Sequence, residues 1–329
     1  MNLIVNNIKE LRKLIKEQRK KRIKTSTING TFDLLHKGHL DALSYAEKNS
    51  EKLFILVNSD RSVGLYKGPN RPIENENLRI NNIEKHYPNT YIYIFDELNP
   101  LNTLKEIEPD VHFIGPDWGK KTLEQDLIES IGGEVRYIKK NFEISTTKIL
   151  EKKGKIKTNK RGIFLDRDGT IIVDKKYLTN KNEIEFFPQT VKVLTKLMKE
   201  DYLLFIISNQ SMVSRKMASQ KDAIAINDEI VRLLKSNGVE IQESYLDFSH
   251  PDNPSNTRKP NTEFLVEASS KYKLALKDSW VIGDKPSDVI FGKRGNTRTI
   301  QVNGHYGISE FSEFIVNDLE EAYRIILND

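Results

Sequence analysis

Two pairs of residues set the chemical question. In the stretch GTFDLLHKGHLDAL, Gly30 to Leu43, His36 and His39 stand three positions apart around a Lys and a Gly. In FLDRDGT, Asp166 and Asp168 stand two positions apart and are followed by Gly and Thr. The histidines fall between a run of β-branched residues and an apolar-periodic segment. A strand, a glycine turn and a helix start at that point bring backbone N–H groups, a helix dipole and two imidazoles together, which suits an anion. Residues i and i+2 of a strand share a face, so the aspartates at a strand end can converge on one cation. Two buried like charges make little sense as packing.

The elements that must position these residues are legible from periodicity. Residues 6–22 read as a leading amphipathic helix. From Thr25 short apolar runs alternate with helical patterns: TSTIN, a helix from about His39, LFILV, a helix over Glu76 to His86, YIYIF, a helix near Leu101, VHFI, a helix around Leu123, and VRYI. EKKGKIKTNKRG then breaks the pattern as a basic linker, 151–161. A second alternation follows: GIFLD (162–166), LLFIIS (203–208), SYLDF (244–248), SWVIGD (279–284) and TRTIQV (297–302). Strand–helix alternation implies parallel sheets covered by helices on both faces. The expected fold class is α/β with two doubly wound parallel-sheet domains, over 1–150 and 162–329, and the halves share no repeat.

Bulk composition agrees with two domains. The chain has 329 residues, 37% hydrophobic and 30% charged, which fits an ordinary globular protein. No apolar run is long enough to span a bilayer, and the N-terminus lacks a signal-peptide pattern, so a cytoplasmic enzyme without membrane partners is expected. With no cysteine, thiolate nucleophiles, Cys-held zinc and iron–sulfur clusters are excluded, leaving oxygen or imidazole as metal ligands. The net charge of +5 is spread along the chain apart from clusters at 18–24 and 152–161. It calls for no nucleic-acid partner and suits polyanionic small substrates.

The His36/His39 stretch resembles the HxGH nucleotidyltransferases, in particular the cytidylyltransferases, over about residues 25–150. Three further segments carry the likeness in order: VNSDRSVGLYKGPNRPI (57–73), GPDWGK (115–120) and EISTTKI (143–149). The resemblance implies a Rossmann-like domain. His36 and His39 would hold the triphosphate and stabilise charge on the α-phosphoryl group while a phosphate monoester displaces pyrophosphate. Gly30, Thr31 and Phe32 would border the nucleotide, Asp117 and Trp118 would lie near it, and Ser145, Thr146 and Thr147 would sit below the phosphates. Lys67, read as a loop residue after the second strand, would meet the attacking or α-phosphate, with Arg79 a weaker candidate for the substrate. GPDWGK looks like the glycerol-3-phosphate cytidylyltransferase pattern, although KNFE stands where that family carries RTEG. SVGLYKGPNRPI and FDELNP (95–100) look more like heptose-phosphate nucleotidyltransferases, which commonly use ATP. The expected donor is CTP, with ATP as the alternative, and the acceptor a sugar or polyol phosphate.

The Asp166/Asp168 stretch, with ISNQS (207–211), TRKP (257–260) and GDKPSD (283–288), resembles the haloacid-dehalogenase (HAD) phosphatases over about residues 161–305. By that resemblance Asp166 is the nucleophile and Asp168 the general acid and base. Mg²⁺ would be held by Asp166, Asp284 and Asp168, the last through its carbonyl. Ser208, Asn209 and Lys259 would grip the transferring phosphoryl group, with Gln210 beside the substrate and Asp288 supporting the site. IIVDKKYL (171–178), NQS and RKP look most like D,D-heptose-1,7-bisphosphate and histidinol phosphatases. Asp174, Tyr177 and Arg258 would then touch the sugar or a distal phosphate. Many such enzymes carry a zinc loop of three Cys and a His ahead of RKP. FSHPDNPSNTRKP has no Cys and is shorter, and His250 reads as a loop residue.

These readings combine as a bifunctional enzyme of nucleotide-activated sugar or polyol synthesis for a cell-surface polysaccharide. The rivals are a nucleic-acid-binding or scaffold protein on inactive enzyme folds and a polynucleotide-end phosphatase. Intact His36, His39, Asp166, Asp168, Lys259 and Asp284 argue against the scaffold. A homo-oligomer is compatible with the sequence.

Overall fold

A computed structural model describes residues 3–115, 122–138 and 159–328. The chain divides into two compact units, Met1–Gly64 with Asn70–Thr158, and Leu65–Pro69 with Asn159–Asp329.

The first unit is built on six parallel strands: β1 (Ile4–Val5), β2 (Thr25–Gly30), β3 (Lys52–Asn58), β4 (Tyr91–Phe95), β5 (Val111–Ile114) and β6 (Glu134–Tyr137), in the order β1-β4-β3-β2-β5-β6. The central strand β3 is apolar almost throughout because both of its faces are covered, and six of its seven residues are buried. Between the strands run helices α1 (Ile8–Lys20), α2 (Lys37–Lys48), α3 (Asp60–Lys67), α4 (Glu76–His86), α5 (Leu101–Ile107) and α6 (Leu123–Ser130). Three begin at side-chain caps: Asn7, Asn75 and Thr122 each accept from a backbone N–H in the first turn. Strand order reverses between β2 and β5, so the carboxyl end of β2 is a topological switch point, and GTFDLLHKGH leaves the sheet there.

The second unit repeats the architecture. Strands β7 (Arg161–Leu165), β8 (Tyr202–Asn209), β9 (Ile241–Asp247), β10 (Trp280–Gly283), β11 (Arg298–Val302) and β12 (Phe314–Val316) pair in parallel in the order β12-β11-β10-β7-β8-β9. Helices α7 (Thr190–Lys199), α8 (Gln220–Ser236), α9 (Glu263–Tyr272), α10 (Pro286–Arg294) and α11 (Leu319–Asn328) connect them. Helix α8 starts at a capping box in which Ser219 and Asp222 satisfy one another's backbone N–H groups. The switch point lies between β7 and β10, which deliver Asp166 and Asp284 side by side. No helix among the described residues is long and apolar enough to cross a membrane.

Both sheets match the doubly wound expectation, and three local readings change. Val5 is paired to Tyr93, so the leading segment begins with an edge strand rather than helix alone. Lys67 is the last residue of helix α3, not a loop residue. Arg161, expected in the linker, already belongs to β7. Asp117, Trp118, Ser145, Thr146 and Thr147, and most of the linker, lie outside the described residues.

Candidate active sites

In the first unit the backbone turns sharply after Gly30, with Phe32 and Leu34 both at positive φ (52° and 53°). Gly30 is required because a Cβ there would come within 2.9 Å of the Phe32 ring. That ring is buried and meets His39 edge-on, with centroids 5.6 Å apart. Phe32 therefore packs against a histidine instead of facing solvent. His36 is the N-cap of α2, and its ring stacks on His39 with centroids 3.8 Å apart. Two imidazoles thus share the helix N-terminus, a place for anionic oxygens.

The neighbouring segments are locked onto this turn. Buried Asp33 accepts the backbone N–H groups of Ile73 and Glu74 and pairs with Arg71 at 2.6 Å, tying PNRPI to the histidine loop. Arg79, expected near the substrate, is instead fully buried. Its guanidinium donates to the carbonyls of Thr31, Asn58 and Glu74 and to Asp60. Its donors hold the loop, and its side chain is wholly buried. Lys67, at the end of α3, falls in the segment Leu65–Pro69 of the second unit, with its Nζ 5.4 Å from the centre of the Tyr66 ring.

In the second unit Asp166 leaves the end of β7 almost completely buried. Its Oδ1 accepts from Lys259 Nζ at 2.7 Å and its Oδ2 from Lys285 Nζ at 3.2 Å. Burial alone would raise its pKa, but the two ammonium groups hold it below the usual carboxylate range. Lys259 also donates to the Ile207 carbonyl at 2.7 Å and stands 2.6 Å from Asp288. Its ammonium thus donates two hydrogen bonds, one of them to Asp166, and stands beside a second carboxylate.

Lys285, which the sequence reading left without a role, marks a cation position. Its ammonium lies 3.2 Å from Asp166 Oδ2, 3.2 Å from the Asp168 carbonyl and 3.3 Å from Asp284 Oδ1. These are the three oxygens expected to hold Mg²⁺, all hard donors of the kind that ion takes. Carboxylate oxygens of Asp166, Asp284 and Asp288 lie within 4.8 Å of one another. Burial, and then the charge of Asp166, push Asp284 up to about 7. A bound divalent cation would reverse that push. Gly169, at φ +88°, makes room for the cluster, since a Cβ there would stand 2.2 Å from Asp284 Oδ2.

The Asp168 side chain points away from this cation position. It is held by Gln210 Nε2 at 3.0 Å and by the buried Arg167, whose Nη2 also donates to Gln210 Oε1. Gln210 Nε2 reaches Ser208 Oγ as well, at 2.8 Å. The Asn209 side chain both accepts from the Lys259 N–H and donates to its carbonyl, bracing that residue. A cleft of about 420 Å³ opens over the group and is walled by Asp174, Tyr177, Arg258 and Tyr306. The Tyr306 hydroxyl donates to Asp174 at 2.6 Å across its rim. Arg167 and Tyr306 also escaped the sequence reading.

Residues 27–158 match the cytidylyltransferase-like family and residues 256–322 the HAD-hydrolase-like family. The chain is thus similar to cytidylyltransferase-like proteins over its N-terminal part and to HAD-hydrolase-like proteins over part of its C-terminal half. Among its relatives is the bifunctional protein HldE of Syntrophotalea carbinolica, 35% identical over 143 residues, which are 43% of this chain and 29% of that protein. HldE of Pseudomonas syringae pv. tomato is 37% identical over 125 residues, 38% of this chain and 26% of that protein. The match thus spans less than a third of the length of these curated relatives. The D,D-heptose 1,7-bisphosphate phosphatase of B. bronchiseptica, solved with magnesium and phosphate, is similar at 21% identity and a TM-score of 0.47, over 51% of this chain and 98% of that one.

Proposed function

We propose that the chain is a two-site enzyme that transfers a nucleotidyl group to a sugar or polyol phosphate and hydrolyses a sugar phosphate ester. The observation that carries the phosphatase half is Asp166, buried and kept anionic by two ammonium groups at the floor of an open cleft. One Asp166 oxygen attacks phosphorus, the ester P–O bond breaks, and the leaving alkoxide takes a proton from Asp168. Asp168 then accepts a proton from the water that attacks the aspartyl-phosphate, releasing inorganic phosphate and restoring Asp166. Arg167 and Gln210 hold the Asp168 carboxyl in place for both transfers. Asp166, Asp284 and the Asp168 carbonyl would hold Mg²⁺, which would supply charge neutralisation at the phosphoryl group.

The transferase half rests on the stacked His36 and His39 at the start of α2. Nucleotidyl transfer needs positioning and neutralisation of phosphate charge more than proton transfer, and two imidazoles at a helix N-terminus supply both. The acceptor phosphate oxygen attacks the α-phosphorus and the α–β bridge breaks to release pyrophosphate. GPDWGK supports CTP as the donor. A second reading, ATP, draws on SVGLYKGPNRPI, whose end is tied by Asp33 to the histidine loop. The deciding experiment incubates the purified chain with CTP or ATP and a panel of sugar and polyol phosphates, reading pyrophosphate and free phosphate separately. CTP-dependent pyrophosphate release with a C5 to C7 phosphate supports the first reading; faster turnover with ATP for every acceptor replaces it with the second.

A further inference from the structure

The loop between β9 and Lys259 carries no catalytic carboxylate, yet it is organised around one. Asp247, the last residue of β9, is buried at 3% exposure. Its Oδ1 accepts the N–H and the hydroxyl of Ser249, at 2.9 and 2.5 Å. Its Oδ2 accepts the hydroxyls of Ser255 and Thr257, the latter at 2.7 Å. Ser255 Oγ in turn accepts the backbone N–H of Arg258 at 3.2 Å. Arg258, which walls the cleft, donates to the Ser249 carbonyl at 2.9 Å, with its Nη1 3.6 Å from Asp247 Oδ1. One carboxylate thereby closes a ring of hydroxyls that fixes both ends of a loop without cysteine.

We infer that Asp247 is a positioning residue that acts through Arg258, making this loop a metal-free wall that recognises the anionic or polyol part of the substrate beyond the transferred phosphate. The inference rests on the phosphatase reading of the cleft. A buried carboxylate with this many donors is fixed in direction, and an arginine anchored to its ring presents its guanidinium at one place in the cleft. A loop without the ring would keep the chemistry at Asp166 while scattering Arg258.

The test compares two probes, p-nitrophenyl phosphate, which has no second anionic or polyol group, and fructose 1,6-bisphosphate, which has both. The wild type should show the lower KM for the bisphosphate. Asp247→Asn and Arg258→Ala should each raise KM for the bisphosphate about tenfold or more, while KM for p-nitrophenyl phosphate moves less than about threefold. The double variant should match Arg258→Ala alone, because one residue acts through the other. Parallel losses on both probes, multiplicative effects in the double variant, or equal KM values in the wild type would overturn the inference while leaving a working phosphatase. A wild type that hydrolyses neither probe would overturn the phosphatase reading itself. Should Asp247→Asn fail to fold, Ser255→Ala with Thr257→Val removes two donors, keeps the charge, and is read by the same comparison.

Discussion

His36 and His39 stack face to face, with ring centroids 3.8 Å apart and planes inclined by 19°. The pair stands at the start of α2, where the helix dipole and the first backbone N–H groups favour an anion. His39→Ala should lower nucleotidyl transfer by about 10²-fold or more and leave phosphate release intact. The double variant with His36→Ala should lose less than the product of the two single losses, since both act on one group of oxygens. Pyrophosphate release at the wild-type rate from His39→Ala would remove the pair from the chemistry.

The converse substitution is Asp166→Asn, which keeps the shape but removes the proposed nucleophile and metal ligand and the partner of two ammonium groups. Phosphatase turnover should fall by about 10³-fold or more. Nucleotidyl transfer, assayed with its own substrates, should stay near normal. Loss of both reactions in a folded Asp166→Asn protein would refute the separation of the two sites.

How far these sites were legible depended on whether neighbours in sequence are neighbours in space. The histidine pair lies in one strand-to-helix turn and the aspartate pair directly after the end of β7, so spacing alone drew attention to both. Lys285 did not stand out, because its meaning comes from oxygens on residues 166, 168 and 284 meeting at its ammonium. Tyr306 meets Asp174 across more than a hundred residues and left no local trace. The burial of Arg79 was not foreseen, because arginine is mostly exposed and a wholly buried one is the exception. The alternation of strands and helices was read correctly where apolar runs were long. β1, with two residues, and β12, with three, are too short to show a period.

Metal use follows from the donor set. Oxygens of Asp166, Asp168 and Asp284 surround the cation position, and hydroxyls and a carboxylate organise the loop before Arg258. Chelation with EDTA should abolish phosphate release and Mg²⁺ should restore it, with no stoichiometric zinc in the purified protein by elemental analysis. One zinc per chain would mean that the loop is built on a metal after all.

Acid should weaken the first unit through His112. This residue of β5 is fully buried; its Nδ1 meets Thr27 Oγ1 at 2.8 Å, and among the described residues Nε2 has no hydrogen-bond partner. Burial lowers its pKa from 6.5 to about 3. Above pH 6.5 the ring is neutral in both folded and unfolded chains and costs nothing. As pH falls below 6.5 the unfolded chain takes up a proton that the folded one refuses, so stability drops by about 1.4 kcal/mol per pH unit until the folded pKa is reached. Between pH 7 and 5 the loss from this group should come to about 2 kcal/mol. Urea unfolding of the wild type and of His112→Gln, each at both pH values, isolates it, because the other titrating groups are common to the two proteins. The wild type should lose about 2 kcal/mol more than the variant over that interval. Parallel pH dependences would show that the buried ring finds a way to carry its proton in the folded state.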